Sequence, residues 1–369
     1  MTRAITTVDV ASRTIPLSDS FPTSYGDLPT DHCYVRATDG ETVGYGEGAA
    51  LRTFTGETAA SMAVAAREHY APAVVDEPPD AALRALAAAR DQLPNHPGAA
   101  VAVEAAVLDL KARRRGVPLR DLLGPTRRTT VPTVCIVGGV PPDEAVDRLE
   151  AGLDAGYTRF KLKANGEPRA DAARIDAVIE RLASHGDPDE VSVRVDANTG
   201  WETAERAARA LDAIECPEYV EYVEQPVAPD AVADLRHLRR TSGLPVFADE
   251  SIHDLGDARD LLAEPAAVSG VCLKLAKAGS LREWTTMAEV AADAGRPVTP
   301  ISAFDTSLGA ALTLHLCATV PRLSAGAEII PDMVAEDPAV EPLTTGPEMT
   351  VPDGPGVGVD LPDALFDEE

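Results

Sequence analysis

From about residue 130 onward, the sequence repeats a short apolar run followed by a longer amphipathic segment. The runs are rich in Val, Phe and Tyr, which favours buried β-strands, whereas the longer segments have helical periodicity. The runs end at intervals of 25 to 33 positions, at Lys163, Asp196, Glu224, Asp249, Lys274, Ile301 and Glu328. Eight such units over about 200 residues predict a parallel (β/α) barrel, and a doubly wound open sheet is the alternative on periodicity alone.

The predicted barrel strands are 132–137, 158–163, 191–196, 220–225, 245–249, 270–275, 297–302 and 324–330. The predicted helices between them are 142–155, 169–184, 202–214, 229–240, 256–264, 280–294 and 306–319. Residues 1–125 instead contain strand-like runs followed by Ala-rich helices at 57–70 and 98–115, which indicates a separate α+β unit. The Pro-rich tail, about residues 340–369, lacks helical periodicity, and we expect it to return to that unit as an extended segment. The barrel is then expected within residues 126–339.

Charge and hydropathy exclude several kinds of partner. The formal net charge is −27 and the pI is near 4.6, so the chain lacks the basic surface that nucleic-acid binding requires. No apolar stretch reaches the roughly 18 residues of a membrane span, and MTRAITTVDV is not a signal peptide, which predicts a cytoplasmic protein. Excess acid with scarce lysine indicates a halophilic, high-salt cytoplasm. A melting temperature that falls between low and molar KCl would contradict this habitat hypothesis.

Lysine is rare in this chain, and its positions are therefore informative. Only five of the 33 Lys and Arg residues are lysines, and Lys161, Lys163 and Lys274 lie at the ends of predicted strands. Arginine is permanently charged, whereas a partly desolvated lysine can release its proton near neutral pH and act as a general base. These positions predict proton transfer, and simple ion pairs with rim acids are the alternative. Lys277, in the following loop, is equally well explained as a solvated cation.

Three carboxylates follow successive predicted strands: Asp196 in VSVRVDANTGW, Glu224 in YVEYVEQP and Asp249 in LPVFADES. The carboxyl ends of parallel barrel strands share one rim, where barrel enzymes place their chemistry. Carboxylates crowded together repel one another unless a cation neutralises them, and a ligand set of oxygens suits a hard divalent ion. The sequence therefore predicts a Mg²⁺ site on this rim.

Seven motifs make the chain resemble the enolase superfamily, specifically its muconate-lactonizing-enzyme subgroup. They are GYGEGA (44–49), AVEAAVLDLKA (102–112), KLK (161–163), VDAN (195–198), VEQP (223–226), ADES (248–251) and LKLAKAG (273–279). Their order and spacing cover nearly the whole chain. The resemblance implies an α/β fold in which an α+β capping domain covers a modified (β/α)7β TIM-like barrel.

The resemblance also implies roles for the rim residues. The three acids named above would bind Mg²⁺, and Lys163 and Lys274 would be acid/base residues on opposite faces of the substrate. A proton α to a carboxylate is too weakly acidic for an amine base alone, so a cation must stabilise the enolate. Lys161 and Lys163 share one face of a strand, so their repulsion should lower the pKa of Lys163, and Lys161 would orient the substrate carboxylate.

Candidate substrate or supporting residues adjoin these groups. Asn198, Gln225 and Glu250 neighbour the predicted ligands, although each is equally well explained by local backbone hydrogen bonds. Residues 19–27 and 52–58 are candidate lids, in which Arg52 is a candidate for receiving an acidic end of the substrate or is simply an exposed arginine.

The eighth strand bears on substrate choice. Dipeptide epimerases of the subgroup carry an Asp-x-Asp pair there, whereas this chain reads AGAEIIPD, with Glu328 at the first acidic position and Ile330 at the second. A single Glu is more similar to muconate cycloisomerases. The stretch LRTFTGET and the segment AFDTSLG, which contains Asp305, are instead similar to epimerases.

These observations predict an isomerase that acts on a small-molecule carboxylate through a metal-stabilised enolate. The favoured reaction is epimerisation or racemisation of a dipeptide or another amino acid derivative. A muconate-type cycloisomerase or an o-succinylbenzoate synthase-like dehydratase on the same scaffold is the alternative, and a non-enzymatic binding barrel is a third possibility. We also expect a homo-oligomer.

Overall fold

The computed structural model describes residues 3–18, 29–50, 52–302 and 304–367, so the candidate lid at 19–27 lies outside the described residues. The strands are β1 (Thr7–Ile15), β2 (Thr30–Thr38), β3 (Val43–Ala50), β4 (Thr130–Pro132), β5 (Cys135–Gly138), β6 (Arg159–Lys163), β7 (Ser192–Asp196), β8 (Val220–Glu224), β9 (Val246–Ala248), β10 (Gly270–Leu273), β11 (Val298–Pro300) and β12 (Glu348–Thr350). Among the helices in these ranges, none combines the length and apolar character needed to cross a membrane.

The α-helices are α1 (Arg52–Thr55), α2 (Ala59–Ala65), α3 (Ala71–Val74), α4 (Pro79–Gln92), α5 (Pro97–Arg115), α6 (Arg120–Leu123), α7 (Pro142–Asp154), α8 (Pro168–Ala183), α9 (Ala204–Leu211), α10 (Val232–Thr241), α11 (Leu255–Leu262), α12 (Leu275–Ala278), α13 (Leu281–Asp293) and α14 (Ser307–Thr319). A π-helical turn (Ala66–Tyr70) joins α2 to α3, and 3₁₀ turns lie at Pro217–Tyr219, Pro331–Met333 and Asp363–Leu365. The sequence pattern predicts neither the Ala-rich helix α4 nor the short helix α12.

The first unit is a three-stranded antiparallel sheet, β1-β2-β3, with the long helix α5 packed on it. The GYGEG motif explains how closely the helix approaches. A Cβ atom added to Gly46 would lie 2.0 Å from the carbonyl oxygen of Ala102, and one added to Gly48 would lie 1.9 Å from that of Gly98. Only residues without a side chain allow this contact between a strand and a helix backbone.

Strands β5 to β11 form one parallel sheet in sequential order, with helices α7 to α14 following them along the chain. Isolated parallel bridges join Ile301 to Glu328 on one side and Thr133 to Ala327 on the other, so residues 323–328 take the eighth position and close the sheet. The predicted barrel is therefore confirmed, and the open-sheet alternative is wrong. The eighth position forms bridges but no regular strand, unlike the predicted run 324–330.

The main hydrophobic core lies between the barrel strands and the surrounding helices. Phe160, Val193, Val223 and Val271 belong to it, and each is fully buried on the strand face that points towards the helices. Because side chains alternate along a strand, the residues between them point into the barrel. This alternation sends the lysines and acids of the predicted motifs to the barrel interior.

The C-terminal tail lies against the first unit. The backbone N–H of Val357 donates to Asp109 on α5 over 2.6 Å, and the guanidinium of Arg113 donates to the carbonyl of Val359 over 3.1 Å. Further along, the Phe366 ring stacks on Tyr45 with 6.4 Å between centroids. These contacts follow the expected course of the tail, while the domain boundaries themselves stay a prediction.

Candidate active site at the carboxyl rim of the barrel

The three predicted acids lie at adjacent strand ends. Asp196 ends β7 and is in register with Lys163 on β6 and with Glu224 on β8. Asp249 directly follows β9. All three carboxylates are buried, with relative exposures of 1% or less. The barrel therefore places them together at one rim, as the spacing predicts.

Lys161 lies at the centre of this group and contacts three carboxylates. Its Nζ lies 2.8 Å from Asp196, 3.0 Å from Oε1 of Glu224 and 2.8 Å from Oε2 of Glu328. Burial lowers the pKa of Lys161, but the surrounding carboxylates outweigh this effect and raise it well above its usual range. Lys161 is thus a buried cation held among three acids.

Lys163 lies one side-chain position nearer the rim. Its Nζ donates to Oδ2 of Asp196 over 2.5 Å and to Oδ1 of Asn198 over 2.8 Å. Burial alone would raise the pKa of Asp196, but the ammonium groups of Lys161 and Lys163 lower it well below its usual range. Asn198 also donates to Glu250 over 3.2 Å, and its backbone has a φ of +40°, in the left-handed region that Asn adopts more readily than most residues.

Lys274 and Lys277 both bind Asp249. The Nζ of Lys274 donates to Oδ2, and the Nζ of Lys277 donates to Oδ1 over 2.6 Å and to the backbone carbonyl of the same residue. Burial would raise the pKa of Asp249, but these two lysines hold it well below its usual range. The interpretation of Lys277 as a solvated cation is wrong: its side chain is 1% exposed. The predicted loop position of Lys277 favoured an exposed side chain. The scarcity of lysine in the chain was the sequence feature that could have indicated a buried, functional residue.

The two candidate acid/base lysines lie on opposite sides of the barrel. Lys163 ends β6 and Lys274 follows β10, and four steps separate β6 from β10 in the strand order. In a barrel of eight positions, four steps are half the circumference. A planar group held above the barrel axis would therefore have one lysine on each side.

Gln225 holds the backbone of the residues that follow β9. Its side-chain oxygen accepts hydrogen bonds from the backbone N–H groups of Asp249 and Ser251, over 2.9 and 3.1 Å, and its Nε2 donates to the Ser251 hydroxyl over 2.7 Å. The φ of Gln225 is +36°, again in the left-handed region. Gln225 therefore fixes the backbone that carries Asp249, and its remaining Nε2 hydrogen goes to the carbonyl of Val227 over 3.0 Å.

The candidate substrate residues have mixed surroundings. Arg52, 39% exposed, donates to Asp31 over 2.5 Å. Glu328 is bound by Lys161, and its Oε1 lies 3.7 Å from Arg194. Asp305 is buried two residues before the start of α14. Substrate roles for these three residues stay predictions.

The donor chemistry of the rim suits a divalent cation. Oε2 of Glu224 is buried and lies 2.9 Å from Nζ of Lys161, and burial together with the charge of Asp196 raises the pKa of Glu224 well above its usual range. Within the described ranges, no three His, Cys, Asp or Glu side chains converge closely enough to hold a metal ion, because lysine ammonium groups lie against the carboxylates. The acids thus supply the type of donor that Mg²⁺ prefers, and their ligation of the ion stays a prediction.

Two family descriptions match the chain. Residues 144–365 match the enolase C-terminal domain-like family, and residues 3–124 match the mandelate racemase / muconate lactonizing enzyme N-terminal domain. The chloromuconate cycloisomerase CbnB of Cupriavidus necator is 31% identical over 365 residues, covering 96% of this chain and 95% of that protein. Together the two matches span most of the described residues.

Two solved structures are similar in fold. The N-succinyl Arg/Lys racemase of Bacillus cereus superposes with a TM-score of 0.88 at 24% identity, covering 99% of this chain and 97% of that one. A dipeptide epimerase from Enterococcus faecalis, solved with Mg and the dipeptide L-Leu-L-Tyr, has a TM-score of 0.89 at 25% identity and covers 96% and 99% of the two chains. Cycloisomerases, racemases and epimerases are thus all represented among the proteins similar to this chain.

Replacing Lys161 by Met should destabilise the fold. The change removes the cation between three buried carboxylates, and breaking a buried ion pair from one side costs about 3–5 kcal/mol. Urea unfolding in EDTA measures the loss. Lys111→Met is the matched control, because Lys111 pairs with the largely exposed Asp80 and such pairs contribute less than about 1 kcal/mol. Equal unfolding midpoints for the two variants would contradict the central role of Lys161.

Proposed function

The chain belongs to the mandelate racemase and muconate lactonizing enzyme family of the enolase superfamily, and from this premise we propose that it is a Mg²⁺-dependent racemase or epimerase of an N-substituted amino acid. Isomerase chemistry follows from the family. The observation that carries the finer proposal is the placement of Lys163 and Lys274 half a barrel apart. Inverting a carbon requires a base on one face and an acid on the other, which this pair provides.

In this proposal the rim residues have separate roles in proton transfer, substrate orientation and metal binding. Lys163 Nζ removes the α-proton from one stereoisomer, and Lys274 Nζ returns a proton to the opposite face; the other stereoisomer reacts with the roles exchanged. Lys161, buried among acids, is the fixed cation that orients the substrate carboxylate. Asp196, Glu224 and Asp249 would hold Mg²⁺. When bound, this ion would neutralise the negative charge that develops on the substrate carboxylate.

The surroundings of Glu328 favour a substrate without a free ammonium group. A carboxylate attracts a further ammonium group less strongly when other cations already neutralise part of its charge. Glu328 is already bound by Lys161 and lies near Arg194, and Ile330, two residues later, is apolar. An N-acyl amino acid fits these conditions better than a dipeptide with a free amino end. The N-succinyl Arg/Lys racemase named above is a protein of similar fold with this kind of substrate.

Cycloisomerisation is the second candidate function. It is favoured by the 31% identity to the Cupriavidus necator chloromuconate cycloisomerase over nearly the full length of both chains. On the same rim, one lysine would exchange a proton with the substrate while the other would only stabilise charge. The number of lysines that move a proton therefore separates the two functions.

Deuterium exchange from each stereoisomer tests the number of active lysines. N-acyl amino acids and dipeptides are incubated in D₂O, and α-deuterium is measured by mass spectrometry. Lys163→Ala should lower the rate of exchange from one enantiomer on the order of 10²–10⁴-fold. Lys274→Ala should lower the rate of exchange from the other enantiomer to a similar extent. Lys111→Ala, a lysine far from the rim in sequence and paired with Asp80, should leave both unchanged.

The outcomes separate the candidates. Equal loss of exchange from both enantiomers in each variant would put cycloisomerisation ahead, and conversion of a muconate by the parent protein would then establish it. Full activity of Lys274→Ala would show that this lysine has been assigned wrongly.

Metal binding has its own test by calorimetry. Asp196→Asn, Glu224→Gln and Asp249→Asn should each weaken Mg²⁺ binding by at least about tenfold, because even groups that only support metal ligands contribute roughly 10–100-fold in affinity. Glu221→Gln is the control: it lies on the same strand as Glu224 but pairs with Arg194 below the rim. Parental affinity in all three rim variants would show that the metal site is elsewhere.

A further inference from the structure

The loop that carries Lys274 is held in place by the capping domain, which is the first unit described above, formed by β1 to β3 and the helices up to α5. This loop runs from Lys274 through α12 and Gly279 to Ser280, which caps the N-terminus of α13. It is compact, because the carbonyl of Lys274 accepts hydrogen bonds from the N–H groups of Lys277 and Ala278, both over 3.2 Å. A displacement at its far end is therefore passed to the backbone of Lys274.

Glu104 provides the principal contact. This residue lies in the middle of α5, and its carboxylate is buried in the interface with the barrel. Oε1 accepts a hydrogen bond from the Ser280 hydroxyl over 2.9 Å, and Oε2 accepts one from the backbone N–H of Leu281 over 2.7 Å. A capping-domain carboxylate thus satisfies the first turn of a barrel helix.

Arg90 adds a second contact on the other side of Gly279. Its Nη2 donates to the carbonyl of Ala278 over 3.2 Å and to the side chain of Glu283 over 3.1 Å. Gly279 has a φ of +67°, and a Cβ atom added there would lie 3.0 Å from both Arg90 and Pro97. The loop is therefore packed tightly against α4 and the start of α5.

The loop after Lys163 has a different support, which lies within the barrel itself. Asp171, in the first turn of α8, is fully buried and accepts hydrogen bonds from the N–H groups of Asn165 and Gly166 over 2.8 and 3.1 Å. It also accepts from the indole of Trp201 over 2.9 Å, and Arg174 donates to the carbonyl of Lys163 over 3.2 Å. These partners all belong to the barrel.

We propose that Glu104 is a positioning residue for Lys274, so that the capping domain controls one face of the reaction while the barrel, through Asp171, controls the other. The inference rests on the proposed two-lysine function. Proton transfer needs donor and acceptor within hydrogen-bond reach, and a misplacement of about 1 Å can cost on the order of 10²-fold in rate. Loss of either support should thus impair one lysine and spare its counterpart.

The test compares Glu104→Ala with Asp171→Ala in the full-length protein. The exchange of the substrate α-proton in D₂O is measured for each enantiomer, and Lys163→Ala and Lys274→Ala identify which enantiomer depends on which lysine. Glu104→Ala should lower the rate of the Lys274-dependent exchange at least about tenfold and that of the Lys163-dependent exchange less than about threefold. Asp171→Ala should give the reverse pattern.

Two conservative variants guard against general unfolding. Glu104→Gln keeps the side-chain volume and one acceptor oxygen, so it should recover part of the Lys274-dependent exchange, and Asp171→Asn should do the same for Lys163. Amide hydrogen exchange provides a readout independent of turnover. Glu104→Ala should speed amide exchange in residues 274–281 more than in residues 163–170, and Asp171→Ala should do the opposite.

Each outcome decides the inference. Opposite losses in the two alanine variants support it, and equal losses for both enantiomers in Glu104→Ala overturn it. If the parent protein exchanges no α-proton from any substrate, the proposed function fails. The amide measurements then still decide the positioning role, which is wrong if Glu104→Ala leaves residues 274–281 as protected as in the parent.

Discussion

Charge balance inside the barrel rim is the constraint on which the rest of the site depends. Among the described residues, four lysines are buried there together with the four acids that pair with them: Lys161, Lys163, Lys274, Lys277, Asp196, Glu224, Asp249 and Glu328. Buried charges are tolerated only when each lies against an opposite charge, and removing one leaves its partner uncompensated. The strand register brings these partners together, so the barrel geometry and the charge pattern require each other. The same crowding leaves Glu224 with a raised pKa, although the Lys161 ammonium lies against both of its carboxylate oxygens.

The charged interior continues below the rim, which bears on substrate choice. Arg194 is fully buried, lies 3.7 Å from Glu328 and bonds to Glu221 over 2.8 Å. Its guanidinium also stacks over the Tyr222 ring, 5.0 Å from the centroid. Glu328 is therefore shared between a lysine above and an arginine below. A residue that the sequence suggests as a substrate contact is thus already paired with two cations of the barrel core, and its substrate role stays a prediction.

The capping domain is joined to the barrel by buried carboxylates, one from each of its two motifs. Glu47 in GYGEGA accepts hydrogen bonds from the N–H groups of Thr306 and Gly309, over 2.9 and 2.7 Å, at the start of α14. Glu104 in AVEAAVLDLKA does the same for Leu281 at the start of α13. The glycines around Glu47 let α5 approach the sheet, so a single motif serves both the packing of the cap and its attachment.

The sequence by itself determined the barrel, its strand ends and the three acids and three lysines of the rim, because β/α periodicity and side-chain alternation are local properties of the chain. It left Lys277 without a role and α4 unrecognised, since burial of a loop lysine and packing of an Ala-rich helix depend on distant neighbours. Only the tertiary structure decided which acid pairs with which lysine, and that Glu104 and Asp171 support different lysine loops. Those pairings join residues far apart in the chain, such as Glu104 with Leu281, 177 positions apart, and no spacing rule connects them.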